Sequence, residues 1–413
     1  MKNESADPPH RKASKTFRVL VSIVAVVGVL IAAYWLFRHV QKNRLSARLD
    51  AIRDAGYPVT LKELNDWYPQ PVPGENAAMV YQAAFSKFSD KDSDKDLPIV
   101  GKGERPEPGV PLSDDMAERI AEYLERNTEA LNLLHEAATM TGCRFAVDFT
   151  VGFNVSLNHL SRLRQAARLL SMETLIAIQK KDTDHIMASM AAQLKAARFA
   201  RNEPIVISYL VHIALRSLAT RNLQHALSGV TFSDNELRQL ASMLSGFEDA
   251  GALIRALVGE RCFGLDAMSN SGSPKGMGLP PALILVGHAT GILGMNQTAY
   301  LDTMNDLIAI AEQPMETRLD SARLKMNEVD GMGKQYFLIQ LLVPALGRLF
   351  EVDLRAVAGV RNATTALAIE RYRLANEILP ESLDDLVPHY LSEVPTDPFD
   401  GMPLRYKLSL IHI

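Results

Sequence analysis

His135-Glu136 begins like the helix of a zinc peptidase, in which a histidine four residues after the first completes a metal-binding pair on one face. Position 139 is Thr139, so that pair is absent. Asp92, Asp94 and Asp96 alternate as calcium-loop carboxylates do, but a loop opening at Asp92 requires Gly at position 97 and Glu at position 103. The chain carries Leu97 and Gly103 there, and a frame from Asp90 fails as well, so a solvated charged loop is expected. His159, His185, His212, His225, His288 and His389 show no ligand spacing with cysteines or acids. His212 sits on an apolar helix and reads as a packed or capped ring. Gly276-Met-Gly278 and Gly331-Met-Gly333 lack the third glycine of a dinucleotide fingerprint, and neither a Walker loop nor a nucleophile elbow occurs. Cys143 and Cys262 would pair only if the fold brought them together in an oxidising compartment. Glu260-Arg261 reads as a solvated doublet. No catalytic, cofactor-binding or metal-ligating residue is assigned, and no cofactor is expected. A membrane-bound enzyme stays as the alternative should Asp148 or Glu260 converge with a histidine in three dimensions.

The elements that would position such groups start from composition. The chain has 413 residues, 47% of them hydrophobic, which supplies enough apolar surface to offset the entropy of ordering. Twenty-four Gly, 21 Pro and 2 Cys exclude collagen-like and disulfide-scaffold classes.

The strongest signal is VLVSIVAVVGVLIAAYWLF, Val19 to Phe37, with no charged residue. Nineteen residues at about 1.5 Å rise span roughly 28 Å, close to the hydrocarbon thickness of about 30 Å. Tyr34 and Trp35 fall at the exit end, where aromatic rings favour the headgroup layer. The run exceeds a signal-peptide apolar region, and no small-x-small cleavage site follows it, so an uncleaved signal-anchor is expected. Residues 1–18 carry a net charge of +3 and residues 38–56 also carry +3, which leaves the positive-inside rule without an asymmetry. A short basic tail before a lone N-terminal anchor favours a cytoplasmic N-terminus, with the large domain translocated. From Tyr57 onward the net charge is −10, which argues against a nucleic-acid partner. Gly28 and Ala32 make a small-xxx-small pair, a weak hint of helix dimerisation.

Beyond the membrane collar, residues 38–88 read as membrane-proximal helices: Leu45, Leu49 and Ile52 continue the first helix, Thr60-Leu-Lys-Glu63 is a capping box, and Asn76 to Phe88 is one more helix. Residues 89–112 form a charged, Gly/Pro-rich linker or surface loop. Ser113-Asp114-Asp115 caps a helix expected to run to about Met140. Cys143, Phe145, Val147, Phe149, Val151, Phe153 and Val155 then alternate with more polar neighbours, predicting extended chain lying across helices. From Leu157 the pattern is helical, over Leu157–Lys181, Asp184–Asn202, Ile205–Ser228, Asp234–Ser245, Glu248–Ser269, Pro281–Gln313 (broken), Met315–Glu328 and Tyr336–Asn376 with an interruption at Pro344. No repeat period recurs, so residues 113–365 predict an irregular, solenoid-like α-helical body. The apolar stretches Pro281–Met295 and Phe337–Phe350 are too short to cross a bilayer and read as core.

The last segment, ALAIERYRLANEILPESLDDLVPHYLSEVPTDPFDGMPLRYK from Ala366, resembles the C-terminal part of type II secretion major pseudopilins. Leu379-Pro380 stands in place of their Tyr-Pro, Leu383 and Leu386 for the leucine pair, and Asp397-Pro398-Phe399-Asp400-Gly401 for the Asp-Pro-aromatic corner before a strand. The resemblance implies a helix, a leucine turn, a corner and a strand over Leu404–Leu408 within residues 366–413. The closing LSLIHI reads as replacing a natural continuation, so a truncated tail is expected. The pilin leader itself is not matched: Thr16 precedes Phe17 where Gly is required, and Val21 holds the fifth position where Glu is required. Prepilin processing and pilin-type polymerisation are therefore not predicted. As a whole the chain resembles uncharacterised membrane-anchored helical proteins of planctomycete-like bacteria, which implies location and architecture only.

The expectation is a mostly α-helical, single-pass inner-membrane protein of the bacterial cell envelope. Residues 19–37 would lie in lipid and the body, periplasmic, would present a helical surface to a protein partner in a non-catalytic, secretion-related role. A lipid- or peptide-binding role for the Met- and Gly-rich region near Met277 to Met304 is a further alternative.

Overall fold

The computed structural model describes residues 15–269, 287 and 290–407. Most of the basic tail, the Gly276-Met-Gly278 pair, His288 and the closing LSLIHI lie outside the described residues.

Helix α1 (Lys15–Asp54) is one unbroken element. The apolar run and the Leu45, Leu49, Ile52 stripe therefore share one axis, about 60 Å long. It is the one helix, among the described residues, long and apolar enough to cross a membrane, and none of its apolar window is buried. Val24, Val29 and Leu30 face outward. Gly56, with φ of +83°, turns the chain after the helix.

The body is a succession of helices: α2 (Leu61–Trp67), α3 (Ala77–Ser86), α4 (Asp114–Arg126), α5 (Thr128–Thr139), α6 (Asn158–Gln179), α7 (Thr183–Ala200), α8 (Val206–Gly229), α9 (Asp234–Leu244), α10 (Gly251–Ser269), α11 (Ile292–Glu312), α12 (Met315–Asp330), α13 (Phe337–Leu342) and α14 (Pro344–Asn376). Their caps follow from sequence. Thr60 accepts from Glu63 N while Glu63 accepts from Val59 N. Ser233 and Glu236 form a reciprocal box at α9, and Pro344 starts α14, where its missing N–H has no consequence. Between α6 and α7, Lys181 adopts φ of +55° and Asp182 N donates to Ala177 O, closing the hairpin before the Asp182 side chain caps α7.

Three apolar clusters organise these helices. The first joins α2–α9 through residues such as Leu64, Tyr81, Ile120, Leu163 and Leu223, with α6, α7 and α8 packed against one another at its centre. The second joins α10–α14, and Leu45, Leu49 and Ile52 of α1 pack against it. Leu338, Ile339 and Val343 are fully buried there, as a core reading of the Phe337–Phe350 stretch requires. The third is small and gathers Leu383, Leu386 and Leu391 under Ala368 of α14.

Four sequence expectations need correction. The alternation from Cys143 does not stay extended as far as Val155. Cys143, Phe145, Val147 and Phe149 are buried and the residues between them are not, so the period-two reading holds for seven residues of extended chain. At Phe149 a 3₁₀ turn begins, Gly152 takes φ of +63°, and Val151 and Phe153 swing outward. No second extended segment lies alongside, and without one a ladder cannot form. The helix from Ser113 breaks at Asn127, whose buried side chain bonds Ser89 N, Ser89 O and Tyr123 O, pinning the 89–111 loop to the break. That loop is packed rather than wholly solvated: Leu97 is buried, and Asp94 pairs with Arg126 at 2.6 Å. The tail strand is also absent. Asp397 accepts from Phe399 N, and Gly401, with φ of +71°, donates to Asp397 O, so the corner forms as its residues predict. Residues 404–407 then run without a partner strand, held by Leu404 N to Pro395 O, the Arg405–Asp400 pair and packing of Leu404 and Tyr406 on the third cluster. Among the described residues the β content is three isolated bridges.

Close approach of α10 to its neighbours depends on two glycines. A Cβ at Gly259 would stand 1.6 Å from Pro204 O, and one at Gly264 would stand 2.2 Å from the Tyr300 ring. Tyr300 can rotate, whereas the Pro204 carbonyl is backbone. Gly259→Ala is expected to destabilise the body by about 1–3 kcal/mol, the usual cost of overpacking. Gly264→Ala should cost less, and an unchanged denaturation midpoint for Gly259→Ala would refute the contact.

Candidate functional site

The residues whose types suggested chemistry are dispersed by the fold. His135 leaves its helix sideways and its Nε2 lies 2.9 Å from Glu173 Oε2 on α6, which also accepts from Ser189 Oγ on α7. Thr139, in the place of a second ligand, only caps back to Glu136 O. A second cluster repeats this pattern: His159 Nε2 lies 2.8 Å from Glu203 Oε2, and Ser208 Oγ donates to Glu203 Oε1 at 2.7 Å. In both, the carboxylate stands between the imidazole and the hydroxyl. Nucleophile activation needs the imidazole in the middle, against the hydroxyl. These are acid-centred ties between helices, each giving a carboxylate beside the first apolar cluster two hydrogen-bond partners. The sequence carried one trace of the first tie: Glu173 neighbours Thr174 on the inward face of α6, where an acid is out of place.

His212 is buried, with Nδ1 2.7 Å from Ala197 O and its ring stacked on Phe247 at 5.7 Å. A carbonyl can only accept, so Nδ1 carries the proton and Nε2 is bare. Burial and the nearby Arg216 push the ring down to about 3, which keeps it neutral. Beside it lies a buried ionisable cluster. Tyr209 Oη donates to Asp353 Oδ1 at 2.5 Å, and Arg216, 1% exposed, lies 3.8 Å from the same oxygen while donating to Phe247 O. Burial pushes Asp353 upward, against the Tyr209 hydrogen bond and the positive Arg216. The cluster ties α8 to α14 and is closed to solvent, so it acts as structure.

Asp148 is exposed and bonded by Thr150 N and Oγ1, which hold its carboxyl below the usual range. Glu260 and Arg261 are not the solvated doublet expected. Successive helical residues point about 100° apart, so Arg261 turns inward to Asn305 Oδ1 and Pro58 O while Glu260 lies on another side of α10. Burial alone pushes Glu260 up to about 7. Cys143 and Cys262 are free and buried, both pushed up to about 12 by desolvation; Cys262 Sγ lies 3.3 Å from Pro58 O. Among the described residues, no group of three or more His, Cys, Asp or Glu is placed to hold a metal ion.

Access to solvent is found elsewhere. A cleft of about 990 Å³ opens between the 90–100 loop and the first half of α6, with Tyr123 of α4 in its wall. The loop wall is held by its own acids: Gln165 Nε2 donates to Asp90 Oδ2 at 2.7 Å, Lys95 pairs with Asp92, and Arg126 holds Asp94. The helix wall presents Arg162, Arg164 and Arg168. Arg162 donates to Gln165 Oε1, whereas Arg164 and Arg168, exposed one turn apart, have no carboxylate within ion-pair distance among the described residues. Neither Asp148 nor Glu260 lines this cleft. Sequence reasoning missed it because loop and helix are some seventy residues apart, and the arginines read as the solvated face of an amphipathic helix.

No protein-family model, curated protein or solved structure matches the chain.

Glu260 predicts a pH signature. The folded state holds a proton to about pH 7 that the unfolded chain releases near pH 4.5, so stability falls as pH rises across that window and is flat above it. His212 acts in the opposite sense, removing stability as pH falls from 6.5 toward 3. Glu260→Gln should therefore gain on the order of a few kcal/mol over wild type at pH 8 and little at pH 4.5. Parallel stability curves for the two proteins, by chemical denaturation across this range, would refute the assignment.

Proposed function

We propose that this chain is a membrane-anchored, non-catalytic protein of the bacterial cell envelope whose helical body offers the α6 cleft to another protein. The observation that carries the anchor is the apolar window of α1, none of which is covered by the body. A core helix of a soluble protein would bury that surface. The cleft supports the interaction role, because unpaired Arg164 and Arg168 facing loop acids that already have partners leave net positive charge for a carboxylate-bearing segment. The −10 charge of the body argues against a nucleic acid as that partner.

In this reading the N-terminus is cytoplasmic, residues 19–37 cross the inner membrane, and the body is periplasmic. Kinship with the membrane-anchored helical proteins of planctomycete-like bacteria, and a secretion-related partner, are part of the same proposal. They rest on the sequence of the tail from Ala366, whose Asp397–Gly401 corner is the feature shared with pseudopilins. Catalysis is disfavoured because the His–Glu–Ser ties have the wrong order and the buried ionisable cluster is sealed.

The test is site-specific photo-crosslinking in bacterial membranes. A crosslinker at Ser161 or Arg164 should yield one reproducible protein adduct that the same group at Lys180 does not, and Arg164→Glu with Arg168→Glu should abolish it. Adducts indistinguishable between cleft and control positions would sink the interaction reading. Release of the full chain by carbonate extraction without detergent would sink the anchor.

A further inference from the structure

Of the cations that follow the apolar run, Arg48 and Arg53 are paired, whereas Arg38, Lys42 and Arg44 have no carboxylate within ion-pair distance among the described residues. Arg48 donates to both oxygens of Asp302 at 2.6 and 2.8 Å, and Arg53 pairs with Asp50 and Glu63, so the distal part of α1 is tied down. Nearer the apolar run, Arg38 reaches only Tyr34, at 3.5 Å. No acidic residue occurs between Lys15 and Arg48, the first being Asp50. Of the three unpaired cations, Arg38 and Lys42 line a cleft of about 480 Å³ between α1 and the start of α11. Arg38, Lys42 and Leu45 recur at helical spacing, so one face of α1 carries two charges above an apolar floor that Leu293 continues from α11. Trp35 and Phe37 close the end toward the apolar run. Gly291 enters α11 with φ of +79° beside the Phe37 ring, and a Cβ at Gly294 would meet nothing within 4 Å, so the opposite wall stays open. Gln297, whose amide nitrogen donates to Ser269 Oγ at 2.9 Å, offers its carbonyl oxygen to the same space.

We propose that this cleft binds one anionic glycerophospholipid, with its phosphodiester between Arg38 and Lys42, its headgroup hydroxyl toward Gln297, and its acyl chains along the Trp35–Phe37 end of the anchor. The inference deepens the anchor reading and rests on it. Cation placement gives the sign of the ligand, and the position at the end of a 19-residue apolar run gives its source. A free anion would satisfy the arginine and lysine but would leave the Leu45, Leu293 and aromatic surface uncovered. A lipid covers both.

The experiment uses the full chain in a neutral detergent, followed by native mass spectrometry with dioleoyl phosphatidylglycerol, dioleoyl phosphatidylcholine or glycerol 3-phosphate. One phosphatidylglycerol should be retained in preference to phosphatidylcholine by roughly ten- to thirtyfold, the contribution of two surface cations. Arg38→Gln with Lys42→Gln exchanges exposed side chains and should bring the preference to about twofold or less. Lys180→Gln with Lys181→Gln, remote from the anchor, should leave it unchanged. Equal retention of the two lipids, an unchanged preference in the Arg38/Lys42 variant, or competition by glycerol 3-phosphate at lipid concentrations would each overturn the proposal. A chain monodisperse without detergent would instead strike at the anchor reading, so the two failures are distinguishable.

Discussion

An apolar helix that its own protein does not cover is the constraint to which the rest of the structure answers. Val19 to Phe37 leaves its large aliphatic side chains outward, and each one left in water forgoes about 1.5–3 kcal/mol of burial free energy. The body's described apolar clusters contain none of the residues of this run. Only the distal stripe of α1, Leu45, Leu49 and Ile52, is taken into the second cluster. The same helix is thus apolar all round at one end and amphipathic at the other, with the change falling at Arg38. The Arg48–Asp302 contact then fixes the body against the helix just beyond that change.

Within the body, three carboxylates set among apolar helices each have specific partners. Glu173 and Glu203 are each held by one histidine and one hydroxyl, and Asp353 by Tyr209 and Arg216. Carboxylates in an Ala- and Leu-rich stack are costly unless bonded, and once bonded they specify which helix faces meet. A stack lacking a repeat has few other means of fixing register, so these ties are a physical reason for its irregular yet defined packing. Glu260 departs from this pattern, since burial alone acts on its carboxyl, and it marks where the second cluster is sensitive to pH.

The two clefts differ as their surroundings do. One is polar, walled by a loop whose acids are internally satisfied and a helix whose arginines are not, which suits a carboxylate-rich segment. The other combines two cations with an apolar floor at the end of the apolar run, which suits an amphiphile.

How much could be read from the residues alone depended on whether the signal was local. The long apolar helix, the capping box at Thr60, the interruption at Pro344 and the Asp397–Gly401 corner were all legible, because hydrophobic run length, caps and turns are decided by neighbours within a few positions. Helicity of the body and burial of His212 were legible for the same reason, from 3.6-residue spacing. Tertiary packing decided the rest. It decided that the alternation from Cys143 stays extended without a ladder, since a strand exists only with a partner. It broke the Ser113 helix at Asn127, whose amide is claimed by a loop 38 residues away. It turned Arg261 inward, and it brought Arg38 and Lys42 opposite Leu293. Contacts between residues tens or hundreds of positions apart leave no periodic trace in the chain, and both clefts described here are built from such contacts.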